Sequence, residues 1–241
     1  MALSTANTTL KYGICQVETA TVVGTITKAG NATVTVTGAG ITGSPLAVSV
    51  AVALGDTASV MAQKMRVALQ DTAAITAVYE VSGAGSNIVL TRKLAAVNDA
   101  TLNIAVADDT SVGITEAEIS VNTKAGTAYA KLSDIVSYPD LGGAPNKIDT
   151  TDLSVTTMKT SIFGLQEAPD LTFEANYDKA VITAINLLKD VYSFKLEFGT
   201  NGTDGAFAWD GHVTAFVTGG GADEPRKLNI VTSAETEIMS V

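Results

Sequence analysis

The chain contains very few of the residues that build metal sites and nucleophilic catalysts. Its 241 residues include one cysteine, Cys15, and one histidine, His212. One residue of each kind cannot supply the common Cys/His ligand sets for zinc, and a lone cysteine cannot form an intramolecular disulfide. The nucleophile-elbow, Walker-type, zinc-protease and dinucleotide-binding motifs are also missing. The sequence therefore predicts a protein that is not an enzyme and that has no cofactor and no metal.

Positive charge and long apolar runs are scarce as well. Lys and Arg number 15 against 25 Asp and Glu, which gives a formal net charge of -10 and argues against a surface that grips phosphates. The apolar stretch AVSVAVAL at 47–54 is much shorter than the roughly 20 residues of a membrane span. MALSTANTTLKYGIC lacks the basic and apolar regions of a signal peptide. We therefore expect no membrane insertion, and synthesis in a reducing cytoplasm.

The distribution of aromatic residues divides the chain. Of 13 aromatic side chains, only Tyr79 lies between positions 18 and 124, a region rich in Gly, Ala, Thr and Val. Alternation of Thr and Val over 33–37 predicts a half-buried strand, and Gly-Asn at 30–31 suggests a hairpin turn, with three-residue turns as alternatives. From Asp56 to Asp71 the apolar residues follow a helical period. We expect positions 18–125 to form a β-rich domain with one helix.

The C-terminal half has the pattern of a second β-rich core. Leu171, Phe173 and Ala175 alternate with polar residues, as do the apolar residues of YSFKLEFG at 192–199. A helix is expected over 180–188, between these two strands. The fold class predicted for the whole chain is mainly β (α+β).

Three segments together resemble the major tail tube proteins of long-tailed bacteriophages (siphophages). They are TTLKYGIC at 8–15, KLSDIVSYPDLGGAPNKIDTTDLSVTTMKTSIFGLQEAPDLTFEANY at 131–177 and FKLEFGTNGTDGAFAWDGHVTAFVTGG at 194–220. The resemblance covers 1–17 and 126–241. It implies a discontinuous tail tube domain, a β-sandwich with one flanking helix, that is interrupted at 18–125 by a surface-exposed guest domain.

The resemblance also implies the protein's role and partners. Copies of the chain would form hexameric rings that stack into the tail of the virion, which is assembled in the host cytoplasm. Double-stranded DNA would pass through the tube without specific binding. The other implied partners are the tape measure protein and the tail-tip and tail-terminator proteins.

In the same reading, rings stack through a long loop at 149–169. Such a loop is too long and too rich in Thr, Ser and apolar residues to be idle in a compact domain, and its apolar side chains favour a partner surface over water. An ordinary surface loop is the alternative. The candidate stacking residues are Thr150, Thr151, Asp152, Met158, Thr160, Ile162 and Phe163.

The carboxylates of Asp170, Glu174 and Asp178 are expected on one polar strand face. They either lie on a solvated outer face or line the lumen of the tube. A lining of Lys and Arg would hold DNA through its phosphates, which carry one charge per about 1.7 Å of duplex axis, whereas an acidic or neutral lining would not.

Two other functions remain open at this stage. Tube folds are shared between systems, so the chain could serve as the tube subunit of a contractile tail or of a secretion-type particle. The domain at 18–125 could be a surface-binding or adhesion module, although its single aromatic residue argues against a sugar-stacking site.

Overall fold

The computed structural model of the chain describes residues 7–115, 119–141, 147–151, 158, 160–163, 169–221 and 224–241. Strands dominate the described residues, so the predicted mainly-β class is confirmed. In chain order the strands are β1 Thr9–Ile14, β2 Val17–Thr21, β3 Val23–Lys28, β4 Gly30–Thr37, β5 Leu46–Val52, β6 Tyr79–Ser82, β7 Asn87–Arg92, β8 Asn103–Asp108, β9 Val112–Thr115, β10 Val121–Lys124, β11 Thr127–Asp134, β12 Lys147–Asp149, β13 Ser161–Phe163, β14 Asp170–Asn176, β15 Tyr192–Glu197, β16 Ala206–Thr218, β17 Lys227–Ala234 and β18 Met239–Ser240. The helices are α1 Ala58–Gln70, α2 Ala73–Thr76 and α3 Lys179–Leu187.

The chain divides into two compact units. Unit 1 comprises Met1–Tyr12 and Ala130–Val241, and unit 2 comprises Gly13–Tyr129. The sequence placed the domain boundaries after residues 17 and 125, so unit 2 extends a few residues beyond the expected guest domain at each end. Both boundaries between the units fall within strands. One lies in β1 and the other in β11, and these two strands are neighbours in one sheet.

One seven-stranded sheet forms the body of unit 1. Its strand order is β11-β1-β15-β16-β17-β14, and β18 pairs with β16 beside this path. The sheet curls, because the chain just after β11 reaches the opposite edge: Val136 N donates to Glu174 O at 2.7 Å, and Glu174 N donates to Ser137 O at 2.8 Å. The core therefore lies inside a single curled sheet and not between two separate sheets.

Aromatic residues fill the core of unit 1. Phe173, Phe194 and Trp209 are almost completely buried and stack on one another, with ring centroids 5.7 Å apart for Phe173 and Trp209 and 6.2 Å for Phe194 and Trp209. Trp209 Nε1 donates to Thr232 Oγ1 at 3.1 Å, so the one polar atom of the indole ring is satisfied inside the core. The alternation predicted for Leu171, Phe173 and Ala175 is confirmed, since all three are buried.

Helix α3 packs against β16 and contributes Ile185 to the core. It begins one residue earlier than expected. Its N-cap is Asp178, whose Oδ1 accepts a hydrogen bond from Ala180 N at 2.8 Å.

Unit 2 has its own core between small sheets and a helix. The sheets have the orders β10-β2-β7-β6, β5-β4-β8 and β3-β9. Met61, Met65 and Leu69 of α1 are fully buried among valines and isoleucines of these strands, which confirms the predicted helix and its apolar face. The expectation of a single helix is incomplete, because the short α2 follows α1.

The hairpin turn suggested at Gly30-Asn31 is wrong. Both residues lie inside β4, which pairs with β5 and β8, whereas β3 pairs with β9. Asn31 O accepts hydrogen bonds from the backbone N–H groups of residues 109–111, so a different part of the chain forms the turn at this point.

Candidate functional site

The segment expected to stack rings, 149–169, contains one strand of a short β-hairpin and begins at the last residue of the other strand. β12 pairs only with β13 among the described strands, with Ile148 opposite Ile162 and Asp149 opposite Ser161. Thr150 N extends the ladder by donating to Thr160 O at 2.9 Å. An isolated two-stranded hairpin is marginally stable in water, so this one needs packing from elsewhere to be stable.

The described side chains of this hairpin expose apolar surface. Ile148 is 51% exposed, its cross-strand neighbour Ile162 is 57% exposed, and Met158 is 79% exposed. Fully burying an isoleucine or a methionine stabilises by about 1.5–3 kcal/mol, so each of these half-exposed or more exposed side chains would gain about 1 kcal/mol or more against a partner. Ile148 was not among the expected stacking residues, although the register places it directly opposite Ile162.

The threonines in this segment hydrogen-bond across the hairpin. Thr151 Oγ1 accepts from Thr160 N at 3.0 Å and lies 3.3 Å from Thr160 O, and Asp149 Oδ1 accepts from Thr151 N at 2.9 Å. These bonds and the Thr150–Thr160 pairing hold the two strands together beyond the paired residues. Asp152 lies outside the described residues, and of Phe163 the structure describes the backbone in β13.

Two of the three candidate lumen acids share a face of the curled sheet. Asp170 and Glu174 both lie on the side of β14 that points away from the core, opposite Ser233 and Asn229 of β17. Ser233 Oγ donates to Asp170 Oδ1, and Lys227 Nζ lies 2.5 Å from Glu174 Oε1. Glu174 is therefore paired with a cation, whereas the hydrogen-bond partner of Asp170 is a neutral hydroxyl.

The third candidate acid, Asp178, does not belong to this strand face. β14 ends at Asn176, and Asp178 caps α3 through the bond to Ala180 N. The alternation of polar residues in the sequence continues beyond the end of the strand, which is why the sequence placed Asp178 on the strand face. The signal that identifies the cap was present, because Asp directly before an apolar helical stretch is a preferred N-cap residue.

The same face of the sheet carries a buried charge cluster that the sequence did not single out. Glu197 in β15 is 5% exposed, and its carboxylate lies 2.6 Å from Lys11 Nζ and 3.0 Å from Lys195 Nζ. Burial by itself opposes ionisation of Glu197, but the hydrogen bonds from Lys11 and Lys195 outweigh it and hold the pKa of the carboxyl below its usual value. Glu197 is thus a buried anion between two cations.

Taken together, the charges on this face are close to balanced. Strand registers place four carboxylates and three lysines on the side of β1, β15, β16, β17 and β14 that points away from the core. They are Asp170, Glu174, Glu197, Asp210, Lys11, Lys195 and Lys227. The chain as a whole has a net charge of -10, so most of its excess negative charge lies outside these positions.

The described residues lack the features of two other kinds of site. Among them, no group of three or more His, Cys, Asp or Glu side chains is placed to hold a metal ion. None of the helices in the described part of the chain has the length and hydropathy that a membrane crossing requires. His212 is half exposed and lies 3.1 Å from Glu235 on the protein surface.

No protein-family model matches the chain, and no curated protein matches it significantly.

Proposed function

We propose that this chain is the subunit of a self-assembling tube, the tail tube of a long-tailed bacteriophage. In this proposal six copies join into each ring, and the rings stack to form a conduit for double-stranded DNA. The support from sequence is the resemblance of segments 8–15, 131–177 and 194–220 to the major tail tube proteins. The support from structure is the exposed hairpin β12–β13, which lies within the second of these segments.

The hairpin is the observation that carries the proposal. A two-stranded ribbon with Ile148, Ile162 and Met158 in water is poorly stabilised within one copy and has apolar surface to offer to another. We propose that it packs against the neighbouring ring. The partners that the resemblance implies, which are the tape measure, tail-tip and tail-terminator proteins, would meet the ends and the interior of the stack.

The charge-balanced sheet face is proposed to line the lumen. A surface whose lysines are already paired with carboxylates offers few free cations to DNA phosphates, so little counterion release would hold the duplex in place. Unit 2 is proposed to decorate the exterior of the tube, because its core is built only from residues 20–114 of the chain and needs no residue of unit 1.

The decisive experiment replaces the hairpin isoleucines. In Ile148→Ser/Ile162→Ser, half-burial of two isoleucines is lost, which removes about 2 kcal/mol from each contact and weakens it about 30-fold. The matched control is Val60→Ser/Val67→Ser, which changes two exposed apolar residues on the outer face of α1 in unit 2. Negative-stain electron microscopy with a tail-tip initiator would be used to measure tube length.

We expect long tubes from the wild-type protein and from the control, and only rings or free subunits from the hairpin variant. Tubes of normal length from the hairpin variant would contradict the assignment of the hairpin. A wild-type protein that forms no tube under any condition, and that is missing from the shaft of the virion, would contradict the function itself. The neighbouring genes distinguish a long-tailed phage from a contractile tail or secretion-type particle, because a sheath gene indicates a contractile system.

A further inference from the structure

Strand β5 forms an open edge of a sheet in unit 2. It pairs on one side with β4 over its whole length, from Leu46 opposite Val36 to Val52 opposite Gly30. On its other side, no backbone group of β5 bonds to any residue in the described part of the chain. The unpaired N–H and C=O groups of such an edge are a template for another strand.

Features that normally prevent edge pairing are missing from β5. Its seven residues, LAVSVAV, contain no charge and no proline. The edge strands of the four-stranded sheet differ, because β10 contains Lys124 and β6 contains Glu80. A short apolar segment of high strand propensity and zero charge on an open edge favours association with another chain.

The sequence of β5 is almost a palindrome. Read backwards, LAVSVAV becomes VAVSVAL, so an antiparallel pair of two β5 strands centred on Ser49 places every residue opposite a matching one. Ala47 then faces Ala51, Val48 faces Val50 and Ser49 faces itself. The faces match as well, because Val50 and Val52 are buried whereas Ala47, Ser49 and Ala51 are exposed.

We propose that β5 is a homodimerisation strand, through which the three-stranded sheets of two copies join antiparallel at Ser49 into one continuous sheet. Each strand supplies the backbone partners that the other lacks, and the contact closes on itself because it is two-fold. The inference does not rest on the proposed tube. Stacked rings join copies head to tail, whereas this contact is two-fold, so the two contacts are different.

Cysteine cross-linking tests the register on the full-length chain. Directly opposed residues in an antiparallel pair have Cα atoms about 4.5–5.5 Å apart, which lies within the range that a disulfide spans. In Ser49→Cys the two thiols would be opposed, and diamide as oxidant would convert them to an intermolecular disulfide. In Ala47→Cys the two thiols would lie about 13 Å apart along the strands, too far to be bridged.

We expect Ser49→Cys to cross-link in high yield and Ala47→Cys alone to remain at the wild-type level set by the buried Cys15. A mixture of Ala47→Cys and Ala51→Cys proteins should cross-link again. If Ser49→Cys cross-links no better than Ala47→Cys, β5 does not pair in this register and the proposal is overturned.

Sedimentation velocity from about 1 to 100 µM tests the association itself. The protein used is the hairpin variant Ile148→Ser/Ile162→Ser, in which association through the hairpin is weakened. Failure of the β5 proposal can then be distinguished from failure of the tube proposal. We expect a monomer–dimer equilibrium that Ser49→Lys, with two ammonium groups opposed, weakens by about tenfold or more, and that Ser49→Thr preserves. A monomer throughout the range, or a dimer unaffected by Ser49→Lys, would overturn the proposal.

Discussion

Glu197 is the site at which a single substitution gives the sharpest test of the described geometry. Its carboxylate is held between Lys11 and Lys195, and its side chain is 6% exposed, against 21% for Lys11 and 25% for Lys195. Replacing it by Gln keeps the shape and one acceptor oxygen but removes the charge. Two lysines on adjoining strands are then left without their counter-ion.

The size of the destabilisation depends on how exposed the charge cluster is to solvent. Removing one partner of a fully buried ion pair costs about 3–5 kcal/mol, whereas an exposed pair contributes about 0–1 kcal/mol. Both ammonium groups of this cluster keep some contact with water, and the amide oxygen can still accept a hydrogen bond. We therefore expect Glu197→Gln to lower the free energy of unfolding of unit 1 by about 1–2 kcal/mol at neutral pH.

The direction of the pKa shift determines how the contribution of Glu197 to stability changes with pH. The pKa of Glu197 is lowered in the folded protein, so its contribution is fully present above the unfolded value of about 4.3 and is lost as pH falls through the folded pKa. The wild-type protein should thus lose stability more steeply than Glu197→Gln below about pH 4.3, and the difference between the two should shrink there.

Urea unfolding followed by tryptophan fluorescence measures this effect in unit 1 alone. Trp209 is the one tryptophan of the chain and is buried in the core of unit 1. Glu237→Gln is the control, because Glu237 is exposed and bonds to no residue in the described ranges. Equal destabilisation by both substitutions, or an unchanged acid slope in Glu197→Gln, would refute the reasoning about the charge cluster.

Two further predictions concern the core and the lumen. Thr232→Val leaves the N–H of Trp209 without its acceptor and should lower the free energy of unfolding by about 1–3 kcal/mol in the same urea assay. Thr232→Ser keeps the hydroxyl and should lower it by about 1 kcal/mol or less. A loss for Val no larger than that for Ser would show that this hydrogen bond does not stabilise the core. Asp170→Lys/Glu174→Lys should leave tube assembly intact but slow DNA release from virions, because it adds free cations to the proposed lumen; unchanged release would place this face elsewhere.

Patterns within one element were predictable from the sequence. The period of α1 identified Met61, Met65 and Leu69 as its buried face, and alternation identified the buried side of β14, because in both cases the signal lies within one continuous stretch. The cap at Asp178 was predictable by the same local logic but was assigned to the strand. The division into two compact parts was suggested by where the aromatic residues lie.

Pairings between distant residues were not predictable. Glu174 and Lys227 are 53 positions apart, and Lys11 meets Glu197 only because β1 and β15 are neighbours in the sheet. Nothing in the local sequence around a lysine states which carboxylate it neutralises. The hairpin was missed for a related reason, since β12 and β13 contain three residues each and are too short for alternation to be recognised.

These missed pairings change the physical argument for how a conduit would handle DNA. A lining of unpaired carboxylates would repel the duplex over a Debye length of about 10 Å, and a lining of free lysines would bind it. On this face each lysine lies within 3.0 Å of a carboxylate, so the fields of the two charges largely cancel at the distance of a passing phosphate. Balance, and not negative charge, is then the property that would let DNA move, and it depends on strand register, because a slip of one residue would turn these side chains toward the core.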